Sequence, residues 1–481
     1  MSTHKLFAQR IGLVALVNLF ANLSVIILLP ILTKNMPIEE YGIWVQIGVT
    51  ISLIPVITTL GLPQALVRFL AAAKKREEIQ DGFYSIVFIV VGISAIVSLS
   101  IFLFSDIIAA FLFNNNVLIT QILSLIVFMA CLENLSLTFF RTFQYIKKYC
   151  AFSVASDALN IILIVLFILG GYGIIGAAIG LLISYLILFS IMSLNIVHKI
   201  GFKIPEFKCI KKYLNYGIPT IPTNLSSWMV RLSDRYIITI LLGVAFVGYY
   251  SPGYSLGNMI IMFISPLGLI LPPVLSKYYD ENNITNVKTI LRYSLKYFLL
   301  LAIPSVFGLS FLSSSLLEIL STPEIAFQGY LITSFVAVST LLYGVYVIFA
   351  QIIALEKKTK ITGSIWTISA VLNIGLNIVI LPYVGILGAA ITTLIGYAFV
   401  CVLTIYYSHK YLKIYFDTNS TLKSILASAL MSLILVCLNP VGGWNILLLV
   451  GLCSLSYTVI LFALKVIKKD EIKFFKDLLK L

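Results

Sequence analysis

Continuously apolar runs of about 20 residues recur from one end of this sequence to the other, and few folds can hold them. Each run is long enough to cross roughly 30 Å of hydrocarbon at about 1.5 Å per helical residue. The composition agrees: 60% of the 481 residues are hydrophobic and 11% charged, against about 25% charged in soluble domains. Membrane barrels need alternating segments of about 10 residues, which these runs are not. The reading is an all-α polytopic membrane protein. The opening "MSTHKLFAQR" leads into its apolar run without a small-residue cleavage site, so that run reads as a retained first span and not a signal peptide.

Windows of about 19 residues place spans near 11–33, 41–62, 83–104, 117–140, 152–171 and 173–196. A second set follows near 214–241, 246–270, 293–315, 327–355, 361–382 and 385–408, then 420–439 and 445–464. The basic residues test that register, because lysine and arginine beside span ends stay cytoplasmic. With the N-terminus inside, all of the 33 lysines and arginines except Lys34, Arg231 and Arg235 fall in the termini and the even-to-odd connections or within one helical turn of them. Both termini are expected to be cytoplasmic in a plasma (inner) membrane. The net charge of +14 then describes a basic inner face beside anionic lipid headgroups, and nucleic acid is not expected as a partner. Lys74, Lys75 and Arg76 read as one such anchor.

Cys131, Cys150, Cys209, Cys401, Cys437 and Cys453 lie far apart, without a CxxC pair or histidines at metal spacing, so neither a disulfide framework nor a metal site is expected. His4, His198 and His409 fall at span ends near lysines and read as interfacial.

Sliding the chain against itself by about 210 residues brings out an internal repeat. "SDALNI" (156–161) and "GIIGAAI" (173–179) return as "SAVLNI" (369–374) and "GILGAAI" (385–391), and "LGL" at 60–62 returns at 267–269, each time read as a span end near prolines. With six spans per copy, an even number, the copies share one orientation. The resulting domain reading is 1–200 and 201–416 as two six-helix lobes, with two further spans and a basic tail, including Lys465, Lys468 and Lys469, in 417–481.

The seventh span carries the unusual chemistry. "WMVRLSDRYIITILLG" (228–243) puts charges where lipid wants none. At 3.6 residues per turn Asn224, Ser227, Arg231 and Asp234 share one face with Arg235 on its shoulder, while Leu225, Met229, Leu232 and Tyr236 make a lipid-compatible side. Pro219 and Pro222 should kink the span upstream. Each charge at a span centre costs roughly 2.5–3.5 kcal/mol on insertion scales, so the stripe lines protein or water. Two readings stay open: a closed network in which Asp234 and another acid neutralise the arginines, or a cavity in which surplus guanidinium meets an anionic ligand such as phosphate. Glu133, Asp157 and Asn160 are further intramembrane polar groups, candidates for a proton or sodium coupling site or for sugar hydroxyls, and equally for structural partners of nearby amides. Asp157 aligns with Ala370 in the second copy, so the repeat alone does not require it. Arg68, at the end of the second span, can guide an anionic headgroup or serve as an anchor.

With "LLPILTKNMPIEEYGIW" (28–44), "LGLPQALVRFLA" (60–71) and "RLSDRYIITILLGVAFVGYYSPGY" (231–254) beside the paired GxxGAA elements, the chain resembles the polysaccharide-transport branch of the multidrug/oligosaccharidyl-lipid/polysaccharide (MOP) exporter superfamily, in particular flippases of the O-antigen type. That resemblance implies a MATE-like fold and export, by alternating access, of a polyprenyl-pyrophosphate-type lipid-linked oligosaccharide for cell-surface polysaccharide. No catalytic residues or cofactors are implied, although coupling to a proton or sodium gradient is. The implied partners are the lipid-linked glycan, membrane lipids, glycosyltransferases and a glycan polymerase. Within the resemblance Asp234 and Arg235 match the family's acidic-basic pair of the seventh span, and Arg68 its basic residue closing the second. Arg231 is a reading from this sequence alone. The uncharged first span departs from lipid II flippases, whose opening helix is cationic. The rival readings are a drug or cation exporter of the same fold and a membrane glycan polymerase; the first prefers an acidic cavity, and the second needs large outer loops, which here are short and nearly uncharged.

Overall fold

The computed structural model describes residues 3–73, 75–414, 416–438 and 442–466, with side chains from residue 12 onward except residue 15. The side chain of His4, and Lys74, Lys468 and Lys469, lie outside the described residues. Among those described, the regular structure is helical throughout. In chain order the helices are α1 (Thr3–Asn35), α2 (Ile38–Thr58), α3 (Leu62–Leu70), α4 (Arg76–Leu103), α5 (Ser105–Leu112), α6 (Val117–Thr142), α7 (Ile146–Leu169), α8 (Gly173–Ile200) and α9 (Ile210–Gly217). They continue as α10 (Ile221–Leu242), α11 (Val244–Gly257), α12 (Ile261–Asp280), α13 (Ile284–Leu320), α14 (Pro323–Leu355), α15 (Thr359–Val384), α16 (Ile386–Tyr411), α17 (Thr418–Leu438) and α18 (Gly443–Ala463).

Thirteen of these helical stretches, with α11–α12 taken as one, are long and apolar enough to cross a membrane. The fourteenth expected span is α10, 22 residues long, which stands apart because every 18-residue stretch of it contains Arg231, Asp234 and Arg235. The chain is a polytopic helical membrane protein. By packing it forms two units, Leu16–Tyr249 with Ile374–Ile386, and Met1–Ala15 with Tyr250–Asn373 and Leu387–Leu481. Contacts therefore group α10 with α2–α8.

The first unit has a core of α3, α4, α6 and α8 side chains, among them Leu66, Phe83, Phe139 and Met192. In the second, α12, α13 and α14 pack through residues such as Leu275, Leu291 and Phe349. There α17 and α18 are joined to α13 by Tyr457, whose hydroxyl donates to the Leu300 carbonyl at 2.8 Å, and by Lys296, whose ammonium donates to the Val466 carbonyl at 2.9 Å.

The repeated motifs occupy equivalent places. "SDALNI" lies in α7 and "SAVLNI" in α15, and the glycines that open "GIIGAAI" and "GILGAAI" both take positive φ, 54° at Gly173 and 67° at Gly385, at the turns into α8 and α16. The LGL pair does not behave alike. At 60–62 the chain breaks, with Leu60 and Gly61 both left-handed (φ 49° and 67°), so that Arg68 sits on a separate short helix, α3. At 267–269 the helix α12 continues through the motif and through Pro266, Pro272 and Pro273. The second LGL is not a span end: the motif alone lacks the left-handed residue pair that ends α2.

The break after α2 is held by a glycine crossing. A Cβ at Gly217, at the end of α9, would lie 2.5 Å from the Leu60 carbonyl oxygen and 2.8 Å from the Gly61 carbonyl carbon. Gly217→Ala is expected to cost about 1–3 kcal/mol by overpacking and to lower the melting temperature of the detergent-solubilised protein. Gly268→Ala, inside α12 with nothing within 4 Å of its would-be Cβ, should leave it unchanged or higher, since alanine is the better helix former.

Candidate functional site

Helix α10 continues the helical backbone of α9, unbroken from Ile210 to Leu242, and the expected irregularity falls at the prolines. A 3₁₀ turn (Ile218–Thr220) joins it to α9, and Pro219 and Pro222 sit at the openings of that turn and of α10, where a missing backbone donor costs least.

From there a seam of hydrogen bonds fastens α10 to α2. Gln46 Nε2 donates to the Arg235 carbonyl at 2.8 Å and also to the Thr239 hydroxyl. The Thr50 and Tyr236 hydroxyls bond at 2.8 Å. Trp228 Nε1 donates to Ser52 Oγ at 2.9 Å. Tyr236 therefore does not belong to a lipid-facing side of α10: its ring packs beside Trp228, centroids 5.9 Å apart, with its hydroxyl on α2.

The expected polar stripe divides into two environments. Asp234 and Arg235 are 1% and 4% exposed and form an ion pair, Arg235 Nη1 donating to Asp234 Oδ1 at 2.7 Å while the Arg235 amide donates to the same oxygen at 2.9 Å. Arg235 Nη1 also reaches the Arg231 carbonyl at 3.2 Å. Two bonds to one carboxylate oxygen, one from the guanidinium and one from the amide, help to satisfy charges that could not otherwise stay in a dry interior. Arg231, Asn224 and Ser227 instead line a cavity of about 450 Å³, with Arg231 Nε steadied by the Ser227 carbonyl one turn back at 3.2 Å.

The opposite wall of that cavity comes from α6 and the start of α7. Asn134, Thr138 and Arg141 project from α6 and Tyr149 from α7, while Pro55, Thr59, Gly61 and Gln64 close it along the break between α2 and α3. Among the described lining residues two are arginines and none is a carboxylate. Arg141 and its neighbours were not among the residues expected from sequence. The signal existed: Asn134, Thr138 and Arg141, at i, i+4 and i+7, share one helical face. Arg141 was hidden because an arginine at a span end also satisfies the charge rule for cytoplasmic connections.

The other expected residues lie elsewhere. Arg68 is exposed on α3 and does not line the cavity. Glu133, next to Asn134 on α6, is buried and accepts a hydrogen bond from Ser156 of α7 at 2.8 Å. Asp157 follows Ser156, and one turn on Asn160 has a buried Oδ1 without a hydrogen-bond partner. These groups sit at the α6–α7 contact, apart from Arg231. Among the described residues no cluster of three or more His, Cys, Asp or Glu is placed to hold a metal ion.

Three kinds of likeness follow this geometry. The model of the family described as "Polysaccharide biosynthesis protein" matches residues 31–324, more than half of the chain. The chain is 25% identical over 283 residues to a probable low-salt glycan biosynthesis flippase, Agl15, of Haloferax volcanii; the match covers 58% of this chain and 59% of that protein, less than two thirds of the relative's length. Among solved structures it superposes on the lipid II flippase MurJ in an inward closed conformation with a TM-score of 0.75 at 19% identity, over 96% of this chain and 98% of that one. An inward-facing multidrug resistance MATE family transporter of the MOP superfamily gives 0.70 at 14% identity, over 82% and 97%. At such identities the structures establish a shared fold.

The buried pair gives a stability prediction. Asp234→Leu removes the carboxylate that Arg235 bonds and is expected to cost about 3–5 kcal/mol, seen as lost yield and a lower melting temperature in detergent. Asp234→Leu combined with Arg235→Met should recover most of that loss; a double variant as unstable as the single one would show that the two residues do not act as a pair.

Proposed function

This chain belongs to the polysaccharide biosynthesis protein family, and from that premise we propose that it is a flippase, moving a lipid-linked oligosaccharide from the cytoplasmic to the outer leaflet of the plasma membrane for cell-surface polysaccharide assembly. The observation that carries this reading is the cavity of α2, α6, α7 and α10: Arg141 and Arg231 on two helices, amides from Gln64, Asn134 and Asn224, hydroxyls from Ser227, Thr138 and Tyr149, and no described carboxylate in the lining. Guanidinium forks match phosphate oxygens, and amides and hydroxyls match sugar hydroxyls. A polyprenyl phosphate or pyrophosphate bearing a glycan, of the O-antigen type, has both chemistries. The likeness to Agl15, described as a probable low-salt glycan biosynthesis flippase, and to MurJ, a lipid II flippase, supports the reading.

In this proposal the protein binds, reorients and releases by alternating access and makes no covalent bond. Arg68, on the short helix that begins beside Pro63 and Gln64 at the cavity edge, meets the approaching headgroup. Asp234 and Arg235 hold the Arg231 turn of α10 in place. Glu133, Asp157 and Asn160, off the cavity, take the coupling proton or sodium ion. Both termini are cytoplasmic, and glycosyltransferases and a polymerase act before and after export. An exporter of organic cations would instead need carboxylates facing its cargo, and the described lining has none.

The test is flipping of a lipid-linked glycan in vesicles, read by its exposure on the far leaflet. Losing one charged hydrogen-bonding group costs about 1.5–3 kcal/mol, so Arg231→Gln and Arg141→Gln should each slow flipping about 10–100-fold. Lys357→Gln, in the connection between α14 and α15, should not. Wild-type rates in both arginine variants, or normal surface glycan alongside new drug sensitivity in a deletion strain, would overturn the proposal.

A further inference from the structure

A second cavity, of about 420 Å³, lies in the same packing unit with a different chemistry. Its walls are apolar side chains of α2, α4, α5, α6 and α10, chiefly Leu53, Ile101, Ile108, Leu112 and Leu123, with Phe113 closing the end of α5. The polar lining groups are Thr50 and Tyr236, whose hydroxyls already bond each other at 2.8 Å, and Thr50 also donates to the Gln46 carbonyl at 2.8 Å. A buried water needs two to four polar partners, and this lining has little left to offer one. An unfilled space would forfeit dispersion contacts along every wall. Hydrocarbon satisfies both conditions.

The rim supports entry from the bilayer. In the eight-residue helix α5, Ile108 and Leu112 face the cavity while their neighbours Ile107 and Phe111 are 57% and 63% exposed. An apolar chain reaching the cavity past α5 meets apolar surface. The segment from α5 to the start of α6 contains Asp106 and Asn114, Asn115 and Asn116 and no lysine or arginine, so nothing there selects an anionic headgroup.

Helical phase decides the occupant. On α2 the polar cavity uses Ile51, Ser52, Pro55 and Val56, whereas the apolar one uses Thr50, Leu53 and Ile54; at 100° per residue these sets face opposite ways. The same holds on α10 for Ser227 and Arg231 against Tyr236 and Ile240. The hydrogen-bonded α2–α10 seam is thus a partition, with a polar cavity on one side and an apolar one on the other. A lipid whose phosphate sits at Arg231 would have to pass its tail through that seam to reach the apolar side.

We propose that the apolar cavity is a site for one acyl chain of a resident bilayer lipid, distinct from the transported lipid, which braces the Thr50–Tyr236 contact from behind. The full-length protein is reconstituted in zwitterionic phospholipid vesicles containing a phospholipid with a diazirine on one acyl chain, and adducts are mapped after photolysis. Labelling of each of the cavity-lining Ile101, Ile108, Leu112 and Leu123 is expected to exceed that of Leu448, 73% exposed on α18, by at least tenfold. Leu112→Trp, which fills the cavity with its own side chain, should reduce that labelling at least tenfold without lowering the melting temperature. Where that variant fails to fold, Leu123→Phe, a smaller filling, should still reduce labelling severalfold. Labelling that merely follows exposure, or that is unchanged by filling, overturns the site. Competition by added polyprenyl phosphate but not by unlabelled phospholipid overturns the resident lipid in favour of a carrier tail.

Discussion

Everything distinctive in this molecule depends on the seam between α2 and α10. A helix with three charges cannot face lipid at an acceptable cost, and α2 supplies the alternative: Gln46, Thr50 and Ser52 bond Arg235 and Thr239, Tyr236 and Trp228. The bonds fix the rotation of α10 about its axis. That rotation sends Asp234 and Arg235 into a buried pair and brings Arg231 to the polar cavity. The glycine crossing at Gly61 and Gly217 fixes the other end, letting the α2–α3 break and the α9–α10 junction meet at backbone distance. Packing accordingly places α10 in one unit with α2–α8, although the internal repeat counts it as the first span of the second copy.

Much of the fold was legible because span length and hydropathy are local properties: a run of apolar residues declares itself without knowledge of its neighbours. The expected spans correspond to the observed helices, with α10 recognisable by its charges. Less visible were the short helices α3, α5 and α9, each created by a backbone event. Leu60–Gly61 shows why: the same LGL tripeptide is a left-handed break in one copy and helix interior in the other. Periodicity found the stripe on α10 but could not divide it, since which residues meet α2 is a tertiary matter. Tyr236 looked lipid-facing because its amphipathic ring suits an interface equally well, and Arg141 looked like an anchor because a span end is where anchors belong.

The repeat also shows how one scaffold acquires two chemistries. With the spacing that aligns Ser156 to Ser369, Glu133 corresponds to Tyr346 and Ser153 to Trp366. In the first copy Glu133 on α6 accepts a bond from Ser156 on α7 at 2.8 Å. In the second, Tyr346 on α14 accepts one from Trp366 Nε1 on α15 at 2.9 Å, inside a cluster with Tyr343 and Tyr397. The geometric demand, a polar group on one helix satisfied by the next, is kept. The chemical means has changed from carboxylate and hydroxyl to phenol and indole, so a carboxyl group survives in one copy only. A fold needing only packing would not require that difference.

The two arginines of α10 illustrate what the proposed flippase would need from its charges. A site that loads and empties must not be so tight that release becomes slow, and a cation fully neutralised by a fixed carboxylate offers little to an arriving anion. Arg235 is of that second kind, bonded twice to Asp234 in a buried setting. Arg231, one turn earlier, borders a cavity whose other described groups are neutral donors and acceptors or the second guanidinium of Arg141. In the proposed function an anion would gain charge-assisted hydrogen bonds there. Placing both kinds of arginine on one helix lets the buried pair set the position of the cavity-lining one, so that in the proposed flippase orientation is supplied by structure and binding energy is left for the cargo.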